Sequence, residues 1–212
     1  FGFGGIGMMG SGLIPTPEEI INEHFRLGST ALILSRSFCN YEQIGNLKEI
    51  DNRFSIGVNA VREQEKIDFV IVNAENSAGG MGITTKIFNE LKEMKVDAIT
   101  MGNHTWGKKD IFSFADDPKL LRPANYAPNV PGHGYGIFDC KGKKICVVNL
   151  IGRTDMNVLS ENPFLKMNDV LNAVKGKADI IILDFHAEAT AEKIAMGYYL
   201  DGRITAMFGT HT

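Results

Sequence analysis

The sequence predicts an α/β fold, and three observations predict it. From Lys66 onward, short apolar runs alternate with amphipathic stretches of helical length, the pattern of strands and helices taken in turn. Runs such as Ile67 to Val72 are apolar on both faces, which marks strands buried between layers. Several runs end in glycine, amide, carboxylate or imidazole residues, which is how an α/β sheet presents ligands at the carboxyl ends of its strands.

Taken in order, residues 1 to 15 are glycine-rich, and Gly2-Phe3-Gly4-Gly5-Ile6-Gly7 satisfies G-x-G-x-x-G. A dinucleotide site needs a strand before those glycines, a helix opening on them and an acidic residue about twenty positions later. Here the next helix opens only at Thr16-Pro17-Glu18-Glu19, a capping box with proline in its first turn, so the glycines read as a turn. That helix, Pro17 to Leu27, contains His24, read as a surface or packing residue. A strand from Ala31 to Leu34 follows and ends in Ser35-Arg36-Ser37 without a carboxylate. Residues 35 to 57 are polar and weakly patterned, and Asn59 to Glu65 reads as a short helix.

The regular part begins with a strand, Ile67 to Val72, and a helix, Thr84 to Met94, with Ile87, Leu91 and Met94 on one face. A strand from Val96 to Met101, a helix from Lys108 to Ala115 and a loop, Leu121 to Asn125, come next. Strand Ile145 to Leu150, helix Asn168 to Val174, strand Ile180 to Leu183, helix Glu188 to Tyr199 and strand Ile204 to Phe208 complete the series. The division this suggests is an amino-terminal segment of unassigned origin, 1–57, and one domain, 58–212.

Composition excludes some classes of function. The chain has 212 residues, 44% hydrophobic and 22% charged, with a formal charge of -3. That leaves no basic surplus for a long phosphate backbone and argues against duplex nucleic acid. A small anionic ligand remains admissible, because a metal can supply local positive charge. Cys39, Cys140 and Cys146 include no pair at the spacing of a zinc knuckle or redox motif, and read as reduced thiols of a cytoplasmic protein. No apolar run approaches the length of a membrane span, so no membrane partner is expected, and the first fifteen residues lack the basic region of a signal peptide. Phe1 is not an initiator and the chain stops straight after His211, so a fragment of a longer protein is expected.

The chemistry concentrates in residues placed just after strands. Glu75, Asn103, His186 and His211 supply one carboxylate, one amide and two imidazoles, a mixture that suits manganese, iron or zinc. Singly, each has another reading: Glu75 and Asn103 as helix caps, His186 as a hydrogen-bonding core histidine. Four at successive strand ends favour a site. His104, beside Asn103, is placed to protonate a leaving oxygen at the metal's edge. Gly79-Gly80-Met81-Gly82 offers backbone amides to an anion or forms a tight turn, and Trp106 either stacks on a base or packs in the core.

Five stretches carry a family resemblance: Asp68 to Asn76, Ile99 to Trp106, Leu121 to Asn125, Asp184 to Thr190 and Phe208 to Thr212. From about Lys66 to its end the chain resembles the YmdB-like branch of the calcineurin-type metallophosphoesterases. The resemblance implies a two-sheet sandwich flanked by helices, a dinuclear centre of divalent metal ions with iron or manganese favoured, and hydrolysis of phosphodiesters such as 2',3'-cyclic nucleotides. It makes Glu75 the bridging carboxylate, with Asn103, His186 and His211 around the second metal, Asn76 near the first, and His104 acting on the leaving group.

Two departures stand against it. The family opens with a strand running into Gly-Asp, which residues 1–65 do not show, Asp51 lying in a polar context; and the family's last strand is followed by His-x-His, of which this chain holds His211. Both fall on the first metal. The leading expectation is therefore a metal-dependent phosphodiesterase acting on a small phosphodiester, holding one tight ion; a second copy of the chain is an admissible partner. The alternative is a metal-binding but catalytically silent module, and an oxidoreductase using the Gly2 to Gly7 loop ranks last.

Overall fold

The computed structural model describes residues 66–212 continuously and, before them, residues 2–3, 6–7, 34–37, 58–59 and 62–63. The expected helix Pro17 to Leu27 with His24, Cys39 and the surroundings of Asp51 lie outside the described residues. Strands β1 (Gly2–Phe3) and β2 (Ile6–Gly7) pair antiparallel, with Gly2 opposite Gly7 and Phe3 opposite Ile6. The described residues of the G-x-G-x-x-G stretch thus pair as two short antiparallel strands.

Two four-stranded sheets follow. The first runs β3 (Leu34–Ser37), β4 (Ile71–Asn76), β5 (Ala98–Thr100) and β6 (Leu120–Leu121), all parallel. The second contains β7 (Tyr135–Cys140), β8 (Lys143–Ile151), β9 (Ile180–Ala187) and β10 (Ala206–His211) in the order 10-9-8-7, with only β7 antiparallel to its neighbour.

Side-chain alternation explains why these strands read as apolar throughout. On β8, Ile145 and Val147 turn toward the first sheet and pack with Ile71, Ala98 and Leu121. Cys146, Val148 and Leu150 turn the other way, onto the helices α2 (Pro163–Val174) and α3 (Thr190–Leu200) that follow it. The outer face of the first sheet is covered in turn by α1 (Thr85–Glu93) and a 3-10 helix, Lys109–Ser113, through Phe88, Leu91 and Ile111. The molecule is a two-sheet sandwich between helical layers, as expected. Each fully buried side chain of the size of Leu91 or Phe185 contributes about 1.5–3 kcal/mol through its removal from water.

Local chemistry sets the helix starts. Thr84 caps α1 by accepting from the Ile87 N–H, and Asn162 caps α2 by accepting from the Phe164 and Leu165 N–H groups, with Pro163 in the first turn. That cap starts α2 five residues before the expected Asn168. Helix Lys108 to Ala115 is instead the shorter 3-10 helix, α3 begins at Thr190 after Ala189, and of the short helix at Asn59 to Glu65 the described residues 59, 62 and 63 are helical.

The largest corrections concern strand ends. The expected strand Ala31 to Leu34 meets β3 only at Leu34, its other residues lying outside those described. Strand β4 is shifted four residues beyond Ile67 to Val72, so Glu75 lies inside it. The parallel ladder carries β9 past Leu183, pairing Ile151 with His186, and carries β10 past Phe208, pairing Thr210 with His186 and His211 with Ala187. Both histidines therefore sit within strands. Strand β7 was not expected at all: its faces alternate between exposed and half-buried, and it joins β8 through Lys141-Gly142, both at positive φ.

Candidate metal centre

The carboxyl ends of β4, β9 and β10 and the turn after β5 meet at one place. Glu75 and His186 are each 1% exposed, so a carboxylate and an imidazole are held out of water against each other. His186 Nε2 lies 3.3 Å from Glu75 Oε1, 2.9 Å from Asn103 Oδ1 and 3.1 Å from His211 Nδ1. One ligand atom from each of Glu75, His186 and His211 falls within 4.8 Å of the others, close enough for a single ion to be shared. The sequence reading placed these three and Asn103 together, and the fold brings all four together.

Charge and burial shape the acid. Burial pushes the Glu75 carboxyl up, but the contact and charge of His186, the His104 backbone N–H and the His104 ring outweigh it and hold the group below its ordinary range. Burial, followed by the charge of His186, holds His211 below the ordinary histidine value. His211 also has φ 84°, a left-handed backbone uncommon for a side chain of its size, and such strain concentrates at working sites.

The donor set fits a divalent cation. A carboxylate oxygen, an amide oxygen and two imidazole nitrogens converge, a mixture of oxygen and nitrogen ligands that manganese, iron and zinc accept. Space is reserved for it by glycine. A Cβ placed on Gly102 would stand 2.4 Å from His186 Nε2 and 2.6 Å from Glu75 Oε2, so a side chain there would fill the seat.

The turn that carries Asn103 is pinned from behind. The Gly102 carbonyl accepts from Tyr126 Oη at 2.9 Å, Thr105 Oγ1 at 2.6 Å and the Thr105 N–H at 3.1 Å. Burial pushes the Tyr126 hydroxyl up to about 12, so it stays a donor at any working pH. On the other side, the glycine stretch forms a tight turn: Gly79, Gly80 and Gly82 are all at positive φ, and the Gly82 N–H donates to the Glu75 carbonyl at 2.6 Å. Trp106 stacks on Phe112 with ring centroids 5.4 Å apart and packs against both neighbouring clusters.

His104 stands at the rim. Its side chain is partly exposed, its backbone N–H donates to Glu75 Oε2 at 3.2 Å, and its Nδ1 lies 2.7 Å from Asn76 Oδ1. The Asn76 amide is occupied at both ends, donating to Glu75 Oε1 at 2.7 Å and facing His104 with its oxygen. In this structure Asn76 connects the carboxylate to the imidazole.

Sequence reasoning assigned no role to several supporting residues. Asp184, 1% exposed, accepts from Thr100 Oγ1 at 2.5 Å and Asn73 Nδ2 at 3.1 Å across the sandwich, and from Thr210 Oγ1 at 2.6 Å on its own sheet. Glu188 Oε2 lies 2.9 Å from His211 Nε2. The available signal was Asp184 itself: a carboxylate inside an apolar strand run is costly unless partnered.

Comparison with known proteins places this geometry. The YmdB-like protein family matches residues 53–212. A 2',3'-cyclic-nucleotide 2'-phosphodiesterase of Bacillus subtilis (strain 168) is 48% identical over 153 residues, covering 72% of this chain and 58% of the relative. Among solved structures, a novel phosphatase from Mycoplasma pneumoniae aligns with a TM-score of 0.71 at 36% identity, covering 78% of this chain and 60% of that one. A hypothetical protein from Thermus thermophilus aligns with the same TM-score at 34% identity, covering 76% and 62%. The chain spans less than two thirds of the length of these relatives. With the family matched over most of its length and the same sandwich found in relatives of this identity, the chain belongs to the YmdB-like protein family.

Proposed function

We propose that this chain is a metal-dependent phosphodiesterase that hydrolyses small phosphodiesters of the 2',3'-cyclic nucleotide class. The observation that carries the reading is the convergence of Glu75, Asn103, His186 and His211 on one seat, with His104 on its open side. The name of the Bacillus subtilis relative supplies the substrate class. Residues 58–212 form the working unit in this reading, and it operates in the cytoplasm.

A divalent ion, iron or manganese by the family resemblance, would when bound supply Lewis acidity to a phosphate oxygen and make water nucleophilic at neutral pH. Glu75, Asn103, His186 and His211 would hold it. Glu75, whose second oxygen accepts from the His104 N–H, would be the residue shared with a second ion. His104 donates from Nδ1 to Asn76 Oδ1, so as the doubly protonated imidazolium it can give the Nε2 proton to the leaving ribose oxygen as the P–O bond breaks and water adds to phosphorus. Asn76 fixes the ring for that transfer.

The test is cleavage of a 2',3'-cyclic nucleotide by purified chain of verified mass, with manganese and with a chelator. Turnover that requires the metal supports the proposal. Metal binding without turnover favours the alternative, a silent metal-binding module, which rests on the described residues gathering one ion's donors rather than two.

A further inference from the structure

We propose that Asp184 is a positioning residue that aligns the two sheets beneath the metal seat, acting through a buried polar layer with Asn73, Thr100 and Asn149. The inference rests on the metal-centre reading above, and its test separates the two.

The alternation of side chains along each strand builds the interior of the sandwich in layers. The lowest is apolar: Ile71 and Ala98, paired in the first sheet, share a cluster with Val147 and Ile182, paired in the second. Two residues further along the same faces stand Asn73 and Thr100, again paired, and Asn149 and Asp184, again paired. All four are at most 1% exposed. Two residues beyond these, β4 presents Glu75 and β9 presents His186. The polar layer therefore lies directly beneath the ligands.

Apolar burial holds two sheets together but is non-directional, so it does not fix how one sheet slides on the other. Hydrogen bonds have direction. Across the sandwich, Asp184 Oδ2 accepts from Thr100 Oγ1 at 2.5 Å and Asn73 Nδ2 at 3.1 Å, and Asn149 Nδ2 donates to the Met101 and Leu121 carbonyls at 2.8 and 2.9 Å. Within its own sheet, Asp184 Oδ1 accepts from Thr210 Oγ1 at 2.6 Å. These donors precede the proposed ligands on each element: Asn73 stands two residues before Glu75, Thr100 three before Asn103 and Thr210 one before His211, while Asp184 stands two before His186. One side chain thus ties together all four strands that carry or lead to a ligand. A well-packed apolar residue would serve stability as well as a buried charged group does, so what Asp184 adds is alignment. Alignment matters here because a metal site works only when its ligands are held to within about 0.5 Å.

The experiment compares the full chain with four variants. Asp184→Asn keeps the shape but turns one acceptor into a donor; Thr100→Val removes one cross-sheet donor at nearly constant volume; Thr100→Ser keeps the hydroxyl. Val170→Ala is the control, a core truncation on α2, which packs on the opposite face of the second sheet. Thermal unfolding in chelator shows that each variant is folded and ranks its loss of stability. Calorimetric titration with manganese measures affinity, and the electron paramagnetic resonance spectrum of the bound ion reads the symmetry of its ligands. Thr100→Val should weaken manganese binding by about tenfold, the lower end for residues that support ligands from behind, and should alter the spectrum. Thr100→Ser should restore both. Asp184→Asn should weaken binding at least as much, and Thr100→Val carries the test alone should Asp184→Asn not fold. Val170→Ala should lower the unfolding midpoint and leave affinity and spectrum unchanged. A folded Thr100→Val with the affinity and spectrum of the unaltered chain overturns the proposal, as does an equal loss of affinity in Val170→Ala, which would make the effect one of stability alone. An unaltered chain that binds no manganese overturns the metal reading, and the proposal with it.

Discussion

Replacing Gly102 with alanine should remove the metal while leaving the fold. The added Cβ would sit 2.4 Å from His186 Nε2, 2.5 Å from its Cε1 and 2.6 Å from Glu75 Oε2. Ordinary contact begins near 3.5 Å, so the methyl intrudes by about 1 Å on two proposed ligands at once. Neither can retreat freely: His186 is tied to Thr210, and Glu75 to Asn76 and the His104 N–H. Overpacking of this kind costs about 1–3 kcal/mol. For a chain of this size that lowers the unfolding midpoint by about 2–12 °C in metal-free protein. The loss of metal should be larger, because the methyl occupies the seat itself. Elemental analysis after gel filtration, with thermal unfolding in chelator and in excess manganese, measures both effects. The unaltered chain should gain stability with manganese and Gly102→Ala should not. A Gly102→Ala protein that binds manganese as tightly as the unaltered chain would refute the placement of the ion between Glu75 and His186.

His104→Ala should leave metal content nearly unchanged and slow turnover by about a hundredfold or more, the scale of a general acid, whereas Asn103→Ala should lower metal occupancy; equal metal loss in both would show His104 to be a ligand. In metal-free protein His211 is held below its ordinary value, and Glu75 is held below its own despite burial. Each binds fewer protons folded than unfolded, so their stability is fully present above about pH 6.5 and is lost on acidification, His211 first and Glu75 below about pH 4.5. Denaturant titrations at stepped pH should show His211→Gln flattening the first of these declines, and an unchanged slope would contradict the burial of a neutral His211.

Much of this site was legible because its chemistry sits at strand ends. Glu75, Asn103, His186 and His211 follow or close apolar runs, and that placement survives errors of a few residues in where each strand stops. Their ladder positions were not legible. Nothing in Asp184-Phe185-His186 says that β9 continues, since its extension depends on pairing with β8 and β10. Strand β7 was invisible for a different reason: its half-exposed alternation is weak, and its turn is Lys141-Gly142 instead of the asparagine-glycine pair that announces such hairpins. The contact of Thr210 with His186 could not be read, because only the parallel register sets that residue beside His186. Asp184 was visible as an anomaly without a partner.

Whether four side chains from separate strand ends make one metal seat is decided most directly by metal stoichiometry. Chain of verified mass, reconstituted with manganese or iron and freed of loosely held ions, should retain one tight ion by elemental analysis. That ion should be lost in His186→Ala and Asn103→Ala. A chain that retains no ion, or one whose ion is indifferent to both substitutions, would contradict the shared seat. Two tightly held ions would contradict the single seat and show that residues 1–65 supply a further ligand.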